Sequence, residues 1–181
     1  DVENVRWVDA QGATISEDPS LAVRTFSFES FSTANDVTLK LTESSDNPDA
    51  SVVMADDNSS TDGVVLLKGK LKAEGSDLDI KGLIVSVTKA GTGDIDEIAS
   101  QFIVKIDGEE VDSVDAASCV STPCTSTTET YDFDEIDFTL DEGDTVDFEV
   151  LADINEVDGT TVAEGDSLAA TVDSDNIDAE D

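Results

Sequence analysis

A chain of 181 residues in which 44 acidic side chains meet only 9 basic ones, with no histidine, carries a formal charge of −35 at neutral pH. That charge excludes nucleic acid as a partner, because phosphates are repelled, and it disfavours adsorption to anionic membranes. It favours cations, high ionic strength or plain solubility, while an apolar share of 38% still leaves material for a core.

The composition leans toward the disordered side of the charge–hydropathy balance. The apolar residues nevertheless fall in alternating runs, which a disordered chain has no need of. No apolar run reaches the ~18 residues of a membrane span, and no signal peptide is evident. The abrupt start at Asp1 reads as a processed or excised fragment. A halophilic origin is one account of the acidity, since the Debye length shrinks to about 3 Å at 1 M salt. Divalent-cation binding is the other.

In chain order, residues 2–9 and 21–31 read as strands. Residues 36–42 alternate cleanly, with Val37, Leu39 and Leu41 on one face and Thr38, Lys40 and Thr42 on the other. A short strand is expected at Ser51–Ala55, followed by the acidic, turn-rich stretch Asp56–Gly63. Residues 64–73 form a long strand with Val65, Leu67 and Leu71 on one face and Val64, Leu66, Lys68, Lys70 and Lys72 on the other. In residues 78–88 the phase slips at Lys81-Gly82, which predicts a bulge or bend. One helical turn fits Asp94–Ser100. Residues 98–107 follow as a strand, and Asp107-Gly108 signals a hairpin turn into Glu109–Val114. Residues 129–140 hold strand patterns that slip at Asp134-Glu135. Residues 145–152 carry Val146, Phe148 and Val150 inward, a loop spans Asn155–Asp166, and residues 167–173 make the last strand.

Two stretches match at an offset of about 129 residues: Ser45-Asp-Asn-Pro-Asp-Ala50 and Ser174-Asp-Asn-Ile-Asp-Ala179. Leu39 and Thr42 match Leu168 and Thr171 at the same offset. Such spacing reads as tandem modules. The expected organisation is residues 1–55 as the tail of a preceding module or added strands, and 56–181 as a complete module. Many short strands without long helices predict an all-β fold of antiparallel immunoglobulin-like β-sandwich modules. The Cys…Trp…Cys spacing of antibody domains is absent.

The stretch Leu67-Lys-Gly-Lys-Leu-Lys-Ala-Glu-Gly-Ser-Asp-Leu-Asp-Ile80, followed by Phe138-Thr-Leu-Asp-Glu-Gly-Asp-Thr-Val-Asp-Phe148, resembles immunoglobulin-like repeats of bacterial cell-surface and S-layer-type proteins. The resemblance covers about residues 55–181. It implies an exported, repetitive, structural or adhesive protein without catalytic residues.

Among candidate sites, the acidic loops come first. Asp46, Asp49, Asp56, Asp57, Asn58 and Asp62 cluster near one presumed module boundary, and Asp173, Asp175, Asn176 and Asp178 near the next. Ca²⁺ takes six to eight oxygen ligands, which Asp/Asn-rich loops supply. The competing account is a solvated acidic linker in an acidic protein. Asp153, Asn155 and Asp158 open a loop that superficially resembles an EF-hand, but Val157 holds the fifth ligand position and the flanks are strand-like. Cys119 and Cys124, with four residues between them, read as a disulfide closing a small loop, with free thiols as the alternative. Without histidine or further cysteine, a zinc site lacks its usual ligands. Lys68, Lys70 and Lys72 share one strand face. They form either cross-strand pairs with an acidic stripe such as Asp132/Asp134 or Asp147/Glu149, or a contact patch for a neighbouring subunit. Asn58-Ser-Ser60 fits a glycosylation acceptor, a frequent chance match.

Serine triads need a base that the chain lacks, and aromatics to stack sugars are few, at 5%. The expected function is therefore non-enzymatic: a structural module of an extracellular surface layer, filament or stalk, stiffened by Ca²⁺ at its junctions. Its expected partners are copies of itself or neighbouring modules of the same chain, with no nucleic acid and no membrane insertion. The alternative is an adhesin or carbohydrate-binding sandwich, for which Tyr131 and Trp7 are the candidate aromatic platform.

Overall fold

The computed structural model describes the strand backbone of residues 5–8 and 14–17, and residues 37–117, 127–159 and 162–181. The expected strand at 21–31 and the Cys119–Cys124 pair lie outside the described residues. The chain divides into two compact units, Asp1–Ala34 and Asn35–Asp181. In the first, β1 (Val5–Val8) and β2 (Thr14–Glu17) pair antiparallel, with Trp7 opposite Ile15.

The second unit is all-β, with two antiparallel sheets. One has five strands in the order β3 (Thr38–Glu43), β4 (Thr61–Glu74), β10 (Thr145–Ile154), β6 (Ala99–Ile106) and β7 (Glu109–Asp115). In the other, β5 (Leu78–Ala90) lies between β11 (Ser167–Glu180) and β8 (Thr128–Phe133), and β9 (Phe138–Leu140) also pairs with β5. A single helical turn, α1 (Ile95–Ile98), leads into β6.

Period-2 alternation explains the packing. Leu71, Ala73, Phe102, Val104, Ile106, Phe148, Val150 and Ala152 point in from the five-stranded sheet; Leu78, Ile80, Val85, Val87, Phe133 and Leu140 point in from the other. All are buried in one cluster. Burying a side chain of this size contributes about 1.5–3 kcal/mol, and removing side chains from both faces of the cluster exposes the rest to water.

A bulge accounts for one phase slip, and a break between β8 and β9 at residues 134–137 for the slip at Asp134-Glu135. Gly82 pairs with Asp178 and Ile80 with Ala179, so Lys81 is the extra residue, and Gly82 and Leu83 are buried in succession. This is the bend expected at Lys81-Gly82. A second bulge corrects an expectation. Leu67 pairs with Val150 but Val65 with Leu151, leaving Leu66 as the extra residue. The bulge turns Val65 away from the face of Leu67 and Leu71, and Val64 takes its place against the core. Asp107 (φ 52°) and Gly108 (φ 82°) both occupy the left-handed region, as a two-residue type I′ hairpin requires between β6 and β7.

Three further expectations are corrected. Ser51–Ala55 joins no ladder among the described residues: Val52 and Met54 are 94% and 91% exposed. Local β-propensity makes no strand without an edge to pair with. The last strand runs on to Glu180, because Ile177 and Ala179 meet Leu83 and Ile80 across the ladder. Finally, β3 is hydrogen-bonded to β4, with Leu39 opposite Ala73 and Leu41 opposite Leu71. The compact unit thus begins at Asn35 rather than at residue 56, and both copies of the repeated stretch belong to it. They differ in structure: Ser45–Ala50 is a turn and coil, whereas Ser174–Ala179 spans a bulge and a strand.

Candidate functional site: acidic loops and a lysine face

The acidic residues proposed as ligands scatter along the unit. Asp46 and Asp49 follow β3; the Asp46 N–H donates to Ser44 Oγ at 3.3 Å. Asp173 and Asp175 lie in a wide bulge of β11, where residues 173–176 face Ile84 alone, and Asp178 pairs with Gly82. Two groups do meet at one end of the sheets. The Val157 N–H donates to the Asp56 carbonyl at 3.0 Å, which joins the Asp56–Asp62 stretch to the loop after β10. A shallow hollow there is lined by Ser60, Glu97, Asn155, Glu156, Asp158 and Val162.

Most of these carboxylates accept hydrogen bonds from the protein itself. Asp153 accepts from the Gly63 N–H at 2.7 Å and from Gln101 Nε2 at 2.5 Å. Asp158 accepts from the Val162 N–H at 3.1 Å, and Asp56 from the Asn58 N–H at 2.8 Å. Asp57 accepts from the Asn58 side-chain amide, and Asp62 from Ser60 Oγ at 2.9 Å. Asn155 is turned the other way. Its amide donates to the carbonyls of Asp96 and Glu97 at 3.1 and 2.8 Å, capping the C-terminal end of α1. Its side-chain carbonyl oxygen, the atom by which an asparagine ligates Ca²⁺, takes no part in these two bonds. Among the described residues, no three acidic or cysteine side chains converge as a metal centre would require.

Sequence reasoning missed the most heavily used carboxylate, Asp166. It accepts from the Thr92 N–H at 2.7 Å, the Ala163 N–H at 2.9 Å, the Gly93 N–H at 3.3 Å and Thr92 Oγ1 at 3.4 Å. These bonds, led by that from Ala163, hold its carboxyl below the ordinary carboxylate range. Asp77 and Asp112 act likewise on the Glu142 and Glu135 N–H groups, at 2.7 and 3.2 Å. A Gly165-Asp166 turn is visible in the sequence, but its partners more than 70 residues away are not.

The lysine stripe is engaged across strands. Lys68 pairs with Glu149, and Lys70 with Asp147 at 2.5 Å, directly opposite in the β4–β10 register. Lys40 faces Lys72 across β3–β4, and Glu74 answers both, at 2.6 and 2.9 Å. Hydrogen bonds from Lys40 and Lys72 hold the Glu74 carboxyl low, and the Glu149 hydrogen bond raises Lys68. Lys105 lies opposite Glu149 and Glu110, so the row Lys68, Glu149, Lys105, Glu110 alternates in sign across four strands. Five of the seven lysines thus share the outer face of this sheet.

Tyr131 is 4% exposed, with its ring 4.6 Å from that of Phe102. It presents no platform to a sugar. The side chain of Trp7 lies outside the described residues. Comparison with protein-family models, curated proteins and solved structures finds no match.

Proposed function

We propose that the chain is a non-enzymatic, structural module of an extracellular surface layer, filament or stalk, built as an immunoglobulin-like sandwich. The carrying observation is how the side chains are spent. The apolar ones fill a closed two-sheet interior, and carboxylates such as Asp153, Asp158 and Asp166 tie loops together. This economy suits a rigid spacer. The acidity suits exposure to a saline exterior, where salt screens self-repulsion. Ca²⁺ is the cation proposed for the acidic loops, Asp158 at the hollow among them, with backbone carbonyls and water supplying most of its oxygen shell.

Thermal unfolding with millimolar Ca²⁺, with chelator and with matched NaCl tests the cation. A ligand present at 100 times its dissociation constant stabilises by about 2.7 kcal/mol. A rise in the midpoint with Ca²⁺ but not with NaCl supports a site. Equal effects would reduce the acidity to a solvated surface. Protease shaving of intact source cells tests the location: release of this module from the cell exterior supports the reading, and its recovery only after lysis counts against it.

A further inference from the structure

We infer that Ser51–Ala55 of one copy adds as a strand to the free edge of β3 in a second copy of this chain. The inference rests on the structural-module reading and names its contact. Ala50-Ser-Val-Val-Met-Ala55 is a six-residue run without charge in a chain of net charge −35. It is unpaired among the described residues and holds all the exposed large hydrophobics found there: Val52, Val53 and Met54. Water gains nothing by keeping such a segment exposed.

The acceptor edge follows from charge. Edge strand β7 carries Glu109, Glu110, Asp112 and Asp115; β8 carries Glu129 and Asp132; β11 carries Asp173, Asp175, Asp178 and Glu180. Acidic edges repel another copy of so acidic a protein. Strand β3 carries one lysine, Lys40, against one acid, Glu43; of the described edge strands without net negative charge, β1, β3 and β9, it is the longest, at six residues against four and three. Its backbone is ready. The Ser44 N–H reaches the Lys68 carbonyl, so by ladder alternation Leu39, Leu41 and Glu43 turn their N–H and C=O groups away from β4. Beside β3, the gap toward β11 is a groove of mixed lining: Leu41, Leu67, Phe148, Ala170 and Val172 share it with polar residues that include Glu43 and Lys68, and inward side chains of an added strand would cover its apolar part. The same chain's segment is held off this edge. Asn47 Oδ1 accepts the Lys68 N–H at 2.7 Å and fixes the connecting turn on the β4 side.

The test uses the full chain in 1 M-scale NaCl, which screens the net charge. Sedimentation over a concentration series is expected to show species above 19.0 kDa growing with concentration. The variant Val52→Asp/Met54→Asp should associate at least ~10-fold more weakly with an unchanged melting temperature, since these side chains touch little in the monomer. A photo-crosslinker at Val53, in mixed isotope-labelled copies, should capture Leu39–Glu43 between copies. A wild type that stays monomeric overturns the inference, as do cross-links confined to one copy. Assembly unaffected by the variant overturns it too, and leaves the structural-module reading standing.

Discussion

Phe148 fills the space that a side chain at residue 69 would need. A Cβ built on Gly69 would lie 2.1 Å from the Phe148 ring, which is itself only 2% exposed. The two residues face each other across the β4–β10 ladder, so neither backbone can withdraw without breaking its pairing. Gly69→Ala should destabilise by about 1–3 kcal/mol through overpacking. In a Phe148→Leu background the same substitution should cost measurably less, because the smaller side chain vacates the contested volume. Equal costs in both backgrounds, measured by denaturant unfolding, would mean that the clash relaxes elsewhere.

Asp166 ties the Thr92-Gly93 turn to the loop before β11. Asp166→Ala should cost about 1–3 kcal/mol, since it strands backbone donors that the carboxylate satisfied. The folded-state pKa is depressed below 3.8, so the carboxylate's contribution is present above that value and is lost as pH falls through the folded pKa. The stability gap between wild type and Asp166→Asn should therefore be constant near neutrality and close below about pH 4. A gap that does not narrow in acid would show that the anion is not what the loop requires. Taking the difference between the two proteins cancels the general relief of repulsion that acid brings.

The single tyrosine gives a clean titration. Burial raises the Tyr131 hydroxyl to about 12 from its ordinary 10.0. A raised folded pKa means the stabilisation is complete below pH 10 and falls as pH climbs from 10 toward 12. Absorbance at phenolate wavelengths should stay flat through pH 10 in the native protein and rise only with unfolding or near 12. Titration at 10 with the fold intact would place the ring in water.

Lys70 and Asp147 are a partly exposed pair, at 39% and 62%. Lys70→Glu should lower stability by about 0.5–1 kcal/mol, and the swap Lys70→Asp/Asp147→Lys should recover most of it. Salt acts in the opposite sense on the whole molecule. Self-repulsion among 44 acids outweighs a few exposed pairs, so the wild-type melting temperature should rise between low salt and 1 M-scale NaCl. A fall would give the pairs more weight than their exposure warrants.

What was legible in the sequence is what depends on near neighbours. Alternation placed β4, β5, β6 and β10, the phase slip found the Lys81 bulge, and Asp107-Gly108 announced its hairpin. What depends on distant partners was not. Val52, Val53 and Met54 have strand-forming side chains but no edge, whereas Asp175 and Asp178 look like loop residues and lie on a strand held by Ile177 and Ala179. The matching stretches at Ser45 and Ser174 diverge for the same reason: one leaves β4 and the other stays on β5. The paired lysines were readable as a stripe, and the register decided that Asp147 and Glu149 answer them. At Asp153, Asn155 and Asp158, spacing reports residue type and not the loop-tying hydrogen bonds that these side chains also make.

The carboxylates that close loops have a consequence for how this chain tolerates change. Asp56, Asp77, Asp112, Asp153 and Asp166 each accept a backbone N–H, the task that serine, threonine and asparagine perform in less acidic proteins. Asparagine or serine is therefore admissible at Asp56 and Asp77, where one oxygen accepts; at Asp166 both oxygens accept N–H groups, so an asparagine amide would face a donor, and lysine is admissible at none of them. Asp158 and Glu97 belong with them, since they accept the Val162 and Asp94 N–H groups. A lineage moving to fresh water, or an engineer neutralising the surface, has two classes of aspartate to tell apart: those exchangeable for any polar residue, and those replaceable only by another acceptor.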